Sequence, residues 1–117
     1  KENRDMKVLN AFSLNMLPEN KETDRLYVEV NEVSIQRTKS VLRYKGIESC
    51  IGHTDTANNL SNLIGMVIPA NRVSVTLEIG EPALVCQYSG PRLPEGSTTL
   101  PEGAQFKFME IMVLNYV

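Results

Sequence analysis

Two stretches, each closed by a glycine, constrain the fold most strongly. Ser34 can cap a helix running to about Tyr44 with Gly46 as its stop, and a second helix spans Thr54 to about Ile64 with Gly65 as its stop. Ala57, Leu60, Leu63 and Ile64 give the second helix an apolar stripe, which has to be buried against another layer. Asn58, Asn59, Ser61 and Asn62 are read as lying mostly on its other side. Around the helices stand short apolar runs of strand character: one that Val8 and Leu9 open and that passes through Asn10 to Leu17, then Leu26 to Val30, Ile47 to Ile51, Arg72 to Ile79, Ala83 to Tyr88 and Phe106 to Val113. Gly80-Glu81-Pro82 separates two of them, and 72–79 with 83–88 reads as an antiparallel hairpin. Phe12, Leu14 and Met16 alternate with Ser13 and Asn15, and Pro18 ends that segment. The expected order is β, β, α, β, α, β, β, β. Such an order builds an α/β (α+β) domain with a mixed sheet of about five to six strands and flanking helices.

The chain has 117 residues, which fits one domain able to bury a core without staples. Residues 1–5 are polar and charged and read as a linker, a tag remnant or the tail of an upstream domain, which leaves 6–117 as a single domain. Apolar residues make up 42% and charged residues 22% of the sequence, close to the globular average. No apolar run approaches the roughly 18 residues of a membrane span, and no basic-then-apolar leader is visible. A cytoplasmic location without membrane association is therefore expected.

A formal net charge of −2 argues against a broad footprint on long nucleic acid, which needs a basic face. It leaves room for a small phosphate ligand held by a few arginines. Cys50 and Cys86 lie in apolar strand-like runs, where a thiol serves as a small hydrophobe. With one histidine they make three soft ligands, none closely spaced, so neither an ordinary zinc site nor any other cofactor is expected.

Ser89 to Gly103 is rich in Gly, Pro and Thr. A loop of that length in a compact domain is often functional. Its two Leu-Pro-Glu-Gly copies, 93–96 and 100–103, read as repeated turn chemistry.

His53 is the only histidine, and it stands at the mouth of the second helix. Thr54 or Asp55 is a suitable N-cap. The unsatisfied N–H groups and positive dipole end of a helix start receive phosphate readily, and a neighbouring imidazole can donate a proton to a leaving oxygen. The plain alternative is a capping or half-buried histidine without chemistry. Arg72 opens the run after Pro69-Ala70-Asn71, and Arg92 sits in the long loop three residues before Glu95. Arginine clamps phosphate with paired donors; the alternatives are solvated arginines or an Arg92–Glu95 pair that fixes a turn. Asn10, Ser13, Asn15 and Gln87 are short or neutral polar residues among apolar neighbours, suited either to satisfying nearby backbone or to reading a ribose hydroxyl or base edge. Neutral donors, two arginines and one histidine suit a nucleotide phosphodiester cleaved without metal.

Four segments carry a more specific signal: Asn10-Ala11-Phe12-Ser13-Leu14-Asn15-Met16, Ile51-Gly52-His53-Thr54-Asp55-Thr56-Ala57, Asn71-Arg72-Val73-Ser74 and Arg92-Leu93-Pro94-Glu95-Gly96. In that order they resemble the viral ring nuclease family, the type III anti-CRISPR enzymes with cellular relatives in bacteria and archaea. The resemblance runs from about Met6 to Val117. It implies an intertwined homodimer that binds cyclic tetra-adenylate, the second messenger of type III CRISPR defence, across its two-fold axis. It also implies metal-independent cleavage, by attack of a ribose 2′-hydroxyl, to linear di-adenylate ending in a 2′,3′-cyclic phosphate. By the same resemblance His53 is the general acid, and Arg92 and Glu95 complete the catalytic set. Asn10, Ser13, Asn15, Arg72, Val75 and Gln87 are ligand contacts. The polar lead admits fusion to a nuclease domain activated by the same messenger. A non-catalytic cyclic-oligoadenylate sponge or sensor module, and a purely structural dimerisation domain, are the competing classes.

Overall fold

The computed structural model describes residues 5–19 and 25–115; residues 1–4 of the expected leading tail lie outside the described residues. Five strands and two helices follow in the order β1 (Met6–Leu9), β2 (Tyr27–Val33), α1 (Ile35–Lys45), β3 (Ile47–Cys50), α2 (Thr54–Ile64), β4 (Pro82–Ser89) and β5 (Gln105–Leu114). A 3-10 helix, Leu14–Met16, sits between β1 and β2. The strands form one sheet in the order β2-β5-β4-β1-β3. It is mixed: β1 is parallel to both neighbours, with Leu9 opposite Cys50 on one side and Val85 on the other. β5 runs antiparallel to β4 and β2. The expected α+β class with a mixed sheet is the one observed, at five strands.

Local chemistry accounts for the helices. The Ser34 hydroxyl accepts from the Arg37 amide at 3.1 Å, and Gly46 caps the other end of α1, donating to the Leu42 carbonyl at 2.9 Å. Arg43 and Lys45 lie in the last turn, where the helix dipole favours cations. Both helices cover one face of the sheet. Leu42 of α1 and Ala57, Leu60 and Ile64 of α2 share a core with Met6, Val8, Leu84, Cys86, Phe106 and Phe108. Burying each of the large side chains contributes about 1.5–3 kcal/mol. Arg37 adds a hydrogen-bonded ion pair to Glu110 on β5, Nε to Oε2 at 3.0 Å.

Among the described residues no α-helix lies on the opposite face. Leu9, Cys50, Ala83, Val85, Ile111 and Val113, with Val28 of β2 beside them, are covered there by Phe12, Met16, Leu17, Leu26, Val75 and Leu77. This arrangement corrects two expectations. Residues 72–79 do not form a strand, and the hairpin of 72–79 with 83–88 is absent. The reason is edge availability: β4 is already paired with β1 on one side and β5 on the other, so it has no free edge to offer. The run is held instead by the Leu77 amide donating to the Met16 carbonyl at 2.8 Å and by a single bridge from Ile79 to Val113. Its alternation is used to press Val75 and Leu77 onto the sheet. The alternation of Phe12, Leu14 and Met16 is likewise no strand: Phe12 and Met16 pack inward while Leu14, on the 3-10 helix, is 75% exposed.

Candidate functional site

Because β1, β3 and β4 are parallel, their carboxyl ends open at the same edge of the sheet, the place where open sheets receive ligands. Asn10 leaves the end of β1, Ile51-Gly52-His53 leaves the end of β3, and Gln87 lies near the end of β4. The Asn10 side-chain oxygen accepts from the Gly52 amide at 3.2 Å, tying the first two exits together one residue before His53. Residues 69–72 are laid alongside. The Ser49 hydroxyl donates to the Pro69 carbonyl. The Asn71 backbone amide donates to the Ile51 carbonyl and its side chain to the Ser49 carbonyl, both at 2.8 Å. Arg72 follows, and its aliphatic stem lies over Gly52: a methyl group added at Gly52 would stand 3.5 Å from Arg72 Cγ. Asn10, His53 and Arg72, far apart in sequence, are thus gathered around one glycine.

His53 is itself the N-cap of α2, at φ −127° and ψ 127°, and its side chain makes no capping hydrogen bond. The expected caps, Thr54 and Asp55, lie one and two residues inside the helix. The ladder already begins at His53, whose carbonyl accepts from the Ala57 amide at 3.0 Å. The imidazole is therefore exposed at the positive end of the helix, beside first-turn N–H groups that have no intrahelical acceptor.

The remaining expected residues fall into two groups. Ser13, Asn15, Val75 and Gln87 belong to the helix-free side. Ser13 caps the 3-10 helix, its hydroxyl accepting from the Asn15 amide at 3.3 Å. Val75 is half-buried in the covering layer. Gln87 is exposed, and strand alternation puts it on the same face as Val85 and Ala83. Arg92 and Glu95 are exposed in the loop between β4 and β5. Among the described residues no hydrogen bond or ion pair joins them to His53; that loop is joined to α2 by the Gly96 amide, which donates to Asp55 Oδ1 at 3.0 Å.

The loop's repeated turn chemistry is real. The Ser97 amide donates to the Pro94 carbonyl at 3.0 Å and the Ala104 amide to the Pro101 carbonyl at 3.1 Å, with Gly96 and Gly103 at φ 79° and 83° in equivalent places. Positive φ at the third turn position is the type II signature, and it fixes the turn without the Arg92–Glu95 pair.

Three residues have a role that their local sequence does not announce. Asp55, Asn59 and Asn62 all bind the loop: the Asn59 amide donates to the Ser97 carbonyl at 3.1 Å, and the Asn62 amide to the Thr98 carbonyl at 3.0 Å. Asn59 does not face away from the packed side, as expected; it is only 2% exposed. The signal was present in the spacing: 55, 59 and 62 are i, i+4 and i+7, one row along a helix.

Both cysteines are buried and free. Burial raises the Cys50 thiol above its ordinary pKa, with Glu48 adding to the effect, and pushes Cys86 up to about 12. Both stay protonated at neutral pH and act as small apolar side chains.

A family model described as STIV B116-like matches residues 6–109, from β1 into β5. The chain belongs to the STIV B116-like family. The match spans every site residue from Asn10 to Glu95. The structure is similar to B116 of Sulfolobus turreted icosahedral virus, with a TM-score of 0.73 and 27% identity over 92% of this chain and 98% of that one. Among viral relatives, ORF117 of Acidianus two-tailed virus is 33% identical over 75 residues. That alignment covers 62% of this chain and 63% of the relative's length. Protein 26 of Sulfolobus islandicus filamentous virus (isolate Iceland/Hveragerdi) is 29% identical over 89 residues, 76% of this chain and 71% of the relative. Among the described residues of this family member, no helix is long and apolar enough to cross a membrane.

Proposed function

We propose that this member of the STIV B116-like family is a metal-independent ring nuclease that opens cyclic tetra-adenylate to linear di-adenylate with a 2′,3′-cyclic phosphate. The observation that carries this reading is the setting of His53: an exposed imidazole at the start of α2, with Asn10 bonded to Gly52 on one side and the Arg72 stem against Gly52 on the other. The phosphate rests at the first turn of α2. A ribose 2′-hydroxyl gives up its proton to solvent as its oxygen attacks the adjacent phosphorus, the bond from phosphorus to the 5′-oxygen breaks, and His53, as general acid, supplies the proton that this oxygen takes up. Arg72 and Arg92 balance charge on the non-bridging oxygens, Glu95 orients the reacting groups from the same loop, and the ring geometry brings the 2′-hydroxyl in line. Asn10, Ser13, Asn15 and Gln87 contact ribose and base, and Val75 lines the adenine site.

Cleavage of two symmetry-related bonds needs a two-fold dimer. Support for a second copy comes from apolar side chains left in solvent on the helix-free side, Leu14 on the covering segment and Val30 of β2 at 75% and 54% exposure.

The test is turnover of cyclic tetra-adenylate by purified protein with EDTA present. Wild type should release linear product, and His53→Ala should be slower by about 10²–10⁴-fold. Equal rates for the two proteins would overturn the role of His53. Tight stoichiometric binding by wild type with no linear product would overturn the enzyme reading in favour of a sponge or sensor module.

A further inference from the structure

We propose that Asp55, Asn59 and Tyr88 are positioning residues that hold the four-residue arch Arg92–Glu95 at both of its ends. The arch carries Arg92 and Glu95, and the residues that flank it on either side, Pro91 and Gly96 to Thr98, are anchored. At one end the Tyr88 phenol donates to the Pro91 carbonyl. Tyr88 is half-buried, and its ring meets Phe106 edge-on, centroids 5.7 Å apart, so the hydroxyl is aimed by packing. At the other end Asp55 accepts from the Gly96 amide, Asn59 donates to the Ser97 carbonyl and hydroxyl at 3.1 and 3.2 Å, and Asn62 donates to the Thr98 carbonyl. Three successive loop residues are thus read in order by one row of α2. The Ser97 hydroxyl, donating to the Thr99 carbonyl at 2.9 Å, stiffens the same stretch.

Asn59 is the telling member. It occupies a buried position on α2 next to Leu60, and its Oδ1 is buried with no partner among the described residues. An orphaned buried acceptor is unfavourable, and a leucine in the same place would leave none. What the amide supplies is its two N–H groups, which bind the Asp55 carbonyl at 2.9 Å and the loop at Ser97. A residue that departs from the apolar rule of a helix interior to grip a loop marks a site where placement is needed more than stability. The same helix begins at His53, so one rigid element sets both the imidazole and the second foot of the arch.

The catalytic part of this inference rests on the ring nuclease reading; the anchoring part does not. The variants are Asn59→Leu, which fills the space without donors, Asp55→Ala, its conservative partner Asp55→Asn, which keeps an acceptor, and Tyr88→Phe. Amide hydrogen exchange on the ligand-free proteins is expected to rise about tenfold or more over residues 92–98 in Asn59→Leu, Asp55→Ala and Tyr88→Phe. Exchange in α2 and the strands should stay unchanged, and Asp55→Asn should remain near wild type. With cyclic tetra-adenylate, kcat should fall by on the order of 10²-fold in the three releasing variants, with Asp55→Asn again near wild type. Wild-type exchange over 92–98 in all three overturns the anchoring. Raised exchange with unchanged kcat overturns the positioning role. Raised exchange in variants of a wild type that itself cleaves nothing overturns the ring nuclease reading and leaves the anchoring standing.

Discussion

The Asn10 side-chain oxygen and the Gly52 amide are 3.2 Å apart and hydrogen-bonded, a contact that spans two strand exits and fixes the backbone one residue before His53. Asn10→Ala removes the acceptor and leaves a half-buried N–H without its partner, a loss of about 1–3 kcal/mol. Asn10→Asp keeps an acceptor but adds a negative charge where an anionic ligand is proposed to bind. The two variants should therefore separate: Asn10→Ala lowers the urea midpoint, whereas Asn10→Asp holds the midpoint and weakens binding of cyclic tetra-adenylate. Titration and chemical denaturation of the pair check this. Equal destabilisation by both would mean that the acceptor is not what Asn10 contributes.

The helices were legible because their ends are chemical: a serine that caps, glycines that stop, and an apolar stripe between. Strands were legible in kind but not in partner. The apolar alternation of 73, 75, 77 and 79 means only that one side of the segment is buried. It does not say whether neighbouring backbone groups are free to pair, and β1 and β5 had already taken both edges of β4. The start of α2 at Thr54 was legible too, but its N-cap, His53, was not, for a similar reason. Asp55 has a capping side chain, but that carboxylate is spent on Gly96, 41 positions away, and a long-range partner leaves no trace in local sequence. In the site, the types of Asn10, His53 and Arg72 could be read, whereas their meeting around Gly52 could only be seen in three dimensions.

Leu60 lies on α2, fully buried in the core between the helices and the sheet. Leu60→Ala removes its contacts and leaves a cavity, and should cost about 2–5 kcal/mol. Leu63, at the margin of the same cluster and only partly buried, should cost less on the same change. Urea unfolding of the two variants orders them; a larger loss at Leu63 would contradict the described orientation of α2.

Cys86 gives stability a defined pH dependence. Its thiol ionises at about 12 in the fold against an ordinary 9.0, because burial disfavours the thiolate. Below pH 9 both the folded and unfolded thiols are protonated and the contribution is fully present. Between 9 and 12 the unfolded chain loses this proton while the folded chain keeps it, so the unfolded state binds fewer protons and stability falls as pH rises. The urea midpoint should therefore drop more steeply between pH 9 and 11 in wild type than in Cys86→Val. Iodoacetamide at pH 8 should label Cys86 only after unfolding, and labelling of the native protein at the rate of a free thiol would contradict its burial.

Gly90 sits at the neck of the β4–β5 connection, next to the pair Ser89 and Gln105. Its φ is +145°, and a Cβ built on it would lie 2.8 Å from the Cα of Ala104 and 3.1 Å from the Tyr88 hydroxyl. The first of these contacts is backbone, so no rotamer change relieves it. Gly90→Ala then carries two costs: the unfavourable positive φ, on the order of 1–3 kcal/mol, and overpacking, typically another 1–3 kcal/mol. Gly103 has φ +83° but open space around the same atom, so Gly103→Ala carries only the first. Urea denaturation should rank Gly90→Ala below Gly103→Ala in stability. Parting residues 90 and 104 also draws the Tyr88 hydroxyl off the Pro91 carbonyl, so amide exchange near the arch should rise in Gly90→Ala and not in Gly103→Ala. Equal stability loss and equal exchange in the two variants would mean that the neck is not closed in solution.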